Sequence, residues 1–420
     1  HGPLQFAGDG TVVLTFSVAA ADQPEETQQA IRVMSGSTSQ DQGTGGDGKL
    51  SLIIEGDVGG GSTFKGLIDV TNAESLRLRK NSRVQILEGT AIVGGNADIF
   101  LEANTWVNST NGAFPDVTLI KSSGRVYNST KITVGGQFGN PTAGGVAVRL
   151  DGGKLYNILT EGSTGTGVAS GGLGNIIGGS SGVLAANGDN YIENVGDISA
   201  NTGAAVESLR GTMVLRNTVW NFSKGGTRAG TITGGMVDGR RIAVQGGDGT
   251  DMVVNSGTIT GDVDLGNRED MFLFTGATNG VTGTIEGGEG LDGYGRSFAA
   301  SATNTLSNDI LGNGNSGFEM HGIEASGADT IVTVAASQTL DAGLMLVGNG
   351  SVVNTAKINA DGFGVYLRDI ANVTRGMRFT NNADVVSTKG VYGRAGVTSF
   401  LNTALIRATD GDGVFFNIGE

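Results

Sequence analysis

Tyr191-Ile192-Glu193-Asn194-Val195-Gly196-Asp197-Ile198 holds the pattern on which the rest of the chain is built. Apolar and polar residues alternate over a few positions, an asparagine follows, and Ile or Val closes the phrase four residues later. Upstream, Gly182-Val183-Leu184 opens the same unit. The pattern returns where Gly343-Leu344-Met345-Leu346 leads to Val352-Val353-Asn354-Thr355-Ala356-Lys357-Ile358. It returns again where Gly390-Val391-Tyr392 leads to Phe400-Leu401-Asn402-Thr403-Ala404-Leu405-Ile406. Related copies centre on Asn128, Asn157, Asn217, Asn255 and Asn381. Unit starts lie 21 residues apart at Gly182 and Gly203 and at Gly343 and Gly364, and 23 apart at Gly390 and Gly413.

Alternation over three to five residues is the period of a strand, because successive side chains of a strand point to opposite faces. Three short strands and three turns in about 21–26 residues make one coil of a parallel β-helix, each coil about 4.8 Å above the last. The expectation is therefore an all-β, right-handed parallel β-helix: a single-stranded solenoid with three strands per coil. The hand follows the general preference of parallel β crossovers. Roughly 15–18 coils at that spacing predict a rod on the order of 75–85 Å long. An asparagine at a corner tolerates left-handed backbone, and its amide can bond the asparagine one coil above. Helix is expected only over Glu25–Met34, as an excursion from a turn.

Composition agrees. Of 420 residues 75 are glycine and only 4 are proline, and no Gly-X-Y period runs through the chain, which excludes collagen. At 38% hydrophobic residues the chain can bury a core, so it is not a disordered polymer. Cysteine is absent, which excludes disulfides, thiolate metal sites and a thiol nucleophile. The net charge of −14 repels phosphate backbones and anionic membranes, which excludes nucleic acid as a partner and favours cations, neutral glycans or protein. No run of about 18 apolar residues is present, so no segment reads as a transmembrane helix. His1-Gly2-Pro3 is read as what remains of a processed leader or an expression scar, and Val414–Glu420 breaks off mid-pattern, as if the natural protein continued. Residues 1–60 fit the repeat worst and are read as an N-terminal cap with the first coils. Residues 61–420 are read as one continuous β-helix with longer projecting turns near 246–317.

Met252-Val253-Val254-Asn255-Ser256-Gly257-Thr258-Ile259-Thr260-Gly261-Asp262-Val263-Asp264-Leu265-Gly266 resembles the Asn-Ser-Gly-x-Ile coils of bacterial autotransporter passengers and filamentous-haemagglutinin-type adhesins. Weaker copies at Asn194, Asn354, Asn381 and Asn402 extend the likeness over about residues 115–420. The resemblance implies a right-handed β-helix secreted through an outer-membrane barrel to the bacterial cell surface. It implies action as an adhesin or as a self-association module in aggregation and biofilm, or as the carrier of a grafted enzyme domain. The partner expected is a protein or glycan on a cell surface, including a second copy of the chain. The alternatives are a polysaccharide-active β-helix enzyme, lyase or glycosidase, and a phage tail-spike or structural rod. A groove where carboxylates meet Arg or Lys favours the enzyme, and flat faces favour the adhesin.

No catalytic residue is assigned from sequence. His321 would have to serve any Ser-His-Asp hydrolase. Its His-Gly-Ile setting resembles one element of polygalacturonases, but their Asn-Thr-Asp and Asp-Asp elements are missing, and a coil-face histidine is the expectation. The Gly-Asp-Ser-Gly signature of serine-protease passengers is also missing. Gly246-Gly247-Asp248-Gly249-Thr250-Asp251 and Gly287-Gly288-Glu289-Gly290-Leu291-Asp292 each resemble half of a calcium-binding Gly-Gly-x-Gly-x-Asp repeat. Asp248, Asp251, Asp264 and Asp270 are accordingly calcium candidates, with ordinary acidic turns as the simpler account and no other cofactor implied. Arg77-Leu78-Arg79-Lys80, Arg240-Arg241 and Arg368 are read as scattered solvated charge.

Overall fold

The computed structural model describes residues 4–7, 10–16, 29–33, 50–56, 63–109, 116–135, 144–158, 174–223, 226–309, 315–394 and 396–417. Among these residues no helix occurs, and the regular elements are strands joined in long parallel sheets. The chain forms two compact units. One comprises His1–Gln245, Gly257–Val263 and Val281–Gly283, and the other Gly246–Ser256, Asp264–Gly280 and Thr284–Glu420.

In the first unit the strands fall into three parallel series whose inward residues stack in register. Leu52, Leu76, Ile99, Val126, Leu155, Ile192 and Leu215 form one column. Ile31, Ile68, Ile92, Ile120, Val148, Val183, Val206 and Val244 form the second. Phe64, Val84, Val107, Ile132, Ile176, Ile198, Ile232 and Ile259 form the third. All are buried, and full burial of a branched aliphatic side chain is worth about 1.5–3 kcal/mol, so the columns carry the fold. Two antiparallel hairpins interrupt the series, Val219–Asn221 with Thr227–Ala229 and Gly235–Val237 with Arg240–Gln245.

Corner asparagines link the rungs. Asn128 donates from Nδ2 to Asn157 Oδ1 at 2.8 Å, Asn157 to Asn194 at 2.7 Å, and Asn194 to Asn217 at 2.8 Å, all fully buried. Gly174 and Gly230 sit against this ladder; a Cβ on either would strike the Oδ1 of Asn157 or Asn217. Glycine is needed at these two places because the amides fill the space.

The expected helix at Glu25–Met34 is corrected. Gln29–Val33 is a strand whose side chains at Ile31 and Val33 are buried and at Arg32 exposed, and it pairs in parallel with Leu4–Phe6 and Thr63–Asp69. Period-two burial between two partner strands outweighs the helical propensity of the preceding Glu-Glu-Thr-Gln-Gln run. Residues 25–28, like His1-Gly2-Pro3, lie outside the described residues. Gly10–Phe16 and Leu50–Gly56 already pair in parallel with each other, and Leu50–Gly56 with Ser75–Arg79.

The second unit uses the same devices. Its core joins Ile323, Leu346 and Leu367 to Val332, Val352 and Phe379 and to Leu344, Val365 and Val391. A second amide ladder runs from Asn354 to Asn381 to Asn402, each step 2.8 Å. Within the turn expected over Ser297–Gly317, Ala302–Leu306 is a strand paired with Ile331–Ala336. Residues 310–314 lie outside the described residues. No helix is long and apolar enough to cross a membrane among the described residues, which leaves β-barrel spans unaddressed.

Candidate functional site, an aromatic groove above a buried acid ladder

The repeat Gly364-Val365-Tyr366, Gly390-Val391-Tyr392 and Gly413-Val414-Phe415 builds the site. Parallel pairing sets Val365 beside Val391 and Val391 beside Val414, and places Tyr366, Tyr392 and Phe415 in one outward column. Ring centroids are 5.5 Å apart for Tyr366–Tyr392 and 5.0 Å for Tyr392–Phe415, the latter pair nearly parallel at 15°. Phe363 stacks on Tyr366 at 5.1 Å. Exposure grows along the column, from buried Tyr366 through half-buried Tyr392 to Phe415 at 40%.

This column floors a groove of about 470 Å³ whose walls carry charge of both signs. Lys389 Nζ lies 5.2 Å above the Phe363 ring and the Arg394 guanidinium 5.9 Å from the Tyr366 ring. Glu269 is held by Arg394 at 3.7 Å and by Arg368 at 3.8 Å. Asp410 and Asp412 stand exposed at the rim and enter no ion pair among the described residues.

The reading of Arg368 as solvated charge is corrected. Its side chain is 2% exposed, with Nη1 donating to the Glu269 carbonyl at 2.6 Å and Nη2 to Thr250 Oγ1 at 3.4 Å. Its chain also covers one side of Tyr366. Burial pulls its pKa down from the ordinary guanidinium range. The other basic clusters are exposed or half-buried and pair with acids: Arg77 with Glu102, Arg79 and Lys80 with Glu55, and Arg240 with Asp262.

Next to Arg368 runs a ladder of buried carboxyls. Asp251 donates its backbone N–H to Asp270 Oδ1 at 2.6 Å, Asp270 donates its own to Asp292 Oδ1 at 2.6 Å, and Asp292 to Glu319 Oε2 at 2.9 Å. The three aspartates are fully buried, and the second oxygens of Asp270 and Asp292 have no hydrogen-bond partner. Desolvation raises Asp270 to about 10 and Asp292 to about 7, against the pull of those backbone bonds and of Arg368.

Of the four calcium candidates, Asp251 and Asp270 are brought together in this ladder and Asp248 and Asp264 are not. Asp248 accepts from Asn267 Nδ2 at 2.9 Å and Asp264 from the Gly266 N–H at 3.0 Å. No group of three acidic or histidine side chains suited to a metal occurs among the described residues. Calcium needs several charged oxygens at one point. The Asp270 carboxyl, held protonated by burial, supplies no charged oxygen, and Asp248 and Asp264 are each engaged in a bond of their own.

His321 is buried on its strand, its Nε2 has no partner, and burial lowers its pKa to about 4, so it is neutral at pH 7. Sequence reading missed the groove residues, although the Gly-Val-aromatic triplet was a usable signal. Three in-register copies had to place three rings on one face. No protein-family model, curated protein or solved structure matches the chain.

Proposed function

We propose that this chain is an extracellular attachment module of the autotransporter-passenger type, wound as a right-handed β-helix of three strands per coil, which grips surface carbohydrate through a side face. The winding is supported by the three in-register series of the first unit, in which each strand of a series belongs to a successive rung. The observation that carries the function is the groove of the second unit. Its floor is a row of aromatic rings, and its walls carry the exposed, unpaired Asp410 and Asp412 together with Lys389 and Arg394. A sugar ring has an apolar C–H face and a rim of hydroxyls, and this lining answers both. Ligand sites commonly combine an apolar floor with a few oriented polar groups. Modest contacts at one groove per molecule add up when many copies meet a polymer or a surface.

The test is display on a non-clumping bacterium, with measurement of adherence to polysaccharide-coated and bare surfaces. Adherence that needs the polysaccharide and falls when soluble polymer is added is the expected result. Equal adherence to both surfaces, or none, would defeat the reading.

A second reading, a polysaccharide lyase or glycosidase, is favoured by the meeting of carboxylates with Arg394 and Lys389 in one groove. Glu269 argues against a free acid or base there, because two guanidiniums already hold it. New reducing ends or unsaturated products released from bound polymer would convert the module into an enzyme.

A further inference from the structure

Resting on the carbohydrate reading of the groove, we infer that its ligand is a neutral hexose polymer, and that acidic polysaccharides are turned away. Three observations define the class.

The floor is ring-shaped and graded. Tyr392 and Phe415 form a stacked step of two nearly parallel rings 5.0 Å apart, the more exposed end of the column. That step is close to the length of one pyranose in an extended chain. The groove opens to solvent rather than closing into a pouch.

The cations are committed. Arg394 already faces Glu269 at 3.7 Å, and Arg368 is buried behind Tyr366 with its Nη atoms on Glu269 and Thr250. A uronate carboxylate would have to compete with Glu269, a half-buried acid, for Arg394. Lys389 is the remaining cation, seated over Phe363.

The free acids outnumber the free cation. Asp410 and Asp412 stand unpaired at the rim, within a chain of net charge −14. Carboxylates accept hydrogen bonds from sugar hydroxyls and repel a polyanion. Shape selects a pyranose chain, and charge selects its neutral form.

Affinity electrophoresis of the full chain in gels cast with a neutral hexan or with a polyuronate tests this. Expected is retardation by the neutral polymer that hardly changes with added salt, and none by the polyuronate. Phe415→Ala, at an exposed position, should weaken retardation by about tenfold, or roughly 1.4 kcal/mol. Tyr392→Ala should weaken it at least as much, its fold being checked by circular dichroism. The double variant Asp410→Asn with Asp412→Asn should let polyuronate bind at low salt. Retardation by polyuronate alone, or stronger than by the neutral polymer, overturns this inference and leaves the carbohydrate reading standing. Retardation by neither polymer overturns both. Retardation that survives Phe415→Ala and Tyr392→Ala unchanged places the sugar elsewhere and overturns the inference.

Discussion

The first unit is threaded by a buried amide ladder, while the second carries, beside an amide ladder of its own, a buried ladder of acids that obeys different chemistry. In the first, Asn128, Asn157, Asn194 and Asn217 pass a hydrogen bond from rung to rung, side chain to side chain. An amide owns both a donor and an acceptor, so it can receive from one neighbour and give to the next. In the second, the carboxyls of Asp270 and Asp292 accept the backbone N–H of the rung before, from Asp251 and Asp270 respectively. One oxygen of Asp270 and of Asp292 is left over, buried and unpartnered. Burial raises both carboxyls, and at neutral pH it keeps the proton on Asp270 while Asp292 titrates at about 7. An amide ladder is indifferent to pH, and an acid ladder is not.

The largest effect should therefore be a pH dependence confined to the second unit. A carboxyl whose folded pKa is raised favours folding fully only below its unfolded value, near 4. That favour is lost progressively up to about 7 for Asp292 and about 10 for Asp270. The loss is at most about 1.4 kcal/mol per pH unit for each group. Glu55, in the first unit, has the opposite sign. Lys80 and Arg79 hold it below the ordinary carboxylate range, so its contribution is present at neutral pH and lost on acidification. Both tryptophans, Trp106 and Trp220, belong to the first unit. Raising the pH from 5 to 8 should then lower the denaturation midpoint seen by circular dichroism while leaving the tryptophan transition in place. Asp270→Asn with Asp292→Asn should flatten that difference. A double variant as pH-sensitive as the parent would mean that the ladder is ionised when folded.

Putting an acid into the amide ladder sharpens the same comparison. Asn157→Asp removes the Nδ2 donor that Asn194 Oδ1 and the Gly174 carbonyl receive. It also sets two acceptors face to face in a buried site. With about 1–3 kcal/mol for each buried polar group left unsatisfied, a loss of roughly 3 kcal/mol is expected, growing between pH 5 and 8. Tryptophan-detected unfolding in urea reads it directly. A loss under about 0.5 kcal/mol would show that the ladder is ornamental.

The amide ladder was legible in the sequence because its signal is local. Asn194, Asn354 and Asn402 each sit at the same step of a short alternating phrase, and period-two burial needs no distant partner to be read. The acid ladder was half legible. Asp251 and Asp270 stood out by their glycine-rich phrases, but the pattern pointed to a cation where the fold stacks buried acids and raises the carboxyls of Asp270 and Asp292. Nothing in an aspartate's neighbours in sequence states how dry its site will be. The groove was least legible. Glu269 and Arg368 meet across 99 residues, and Phe415 joins Tyr392 only through a register set by the rungs between. The expected helix at Glu25–Met34 failed for the complementary reason: local propensity was read where two partner strands decide.

A corner glycine gives the next effect in size. Gly230→Ala would push a methyl into Asn217 Oδ1 and the Asn194 carbonyl, where neither backbone nor ladder can yield freely. Overpacking of this kind costs about 1–3 kcal/mol. Gly239→Ala, in the turn of a projecting hairpin, meets no atom within 4 Å but keeps a φ of +82°, so its smaller cost is conformational. Urea midpoints of the two variants should rank Gly230→Ala as the more damaging; the reverse order would place the strain in turns rather than against the ladder.

The smallest effect is expected from calcium. Asp248 and Asp264 each serve a local bond, to the Asn267 amide and to the Gly266 N–H, and Asp251 and Asp270 are sealed in a ladder whose Asp270 carboxyl is neutral well above pH 7. A protonated acid must first release its proton to bind a cation, and the cation must first lose its water in a site with no room prepared for it. Millimolar calcium at pH 7 should leave the unfolding midpoint within about 0.5 kcal/mol of its value in chelator, and Asp248→Asn should do the same. Stabilisation growing with calcium concentration by the mass-action law, and abolished by Asp270→Asn, would require the ladder to open and ionise around the ion. The amide ladder has no comparable response, since its groups carry no proton that a cation could replace.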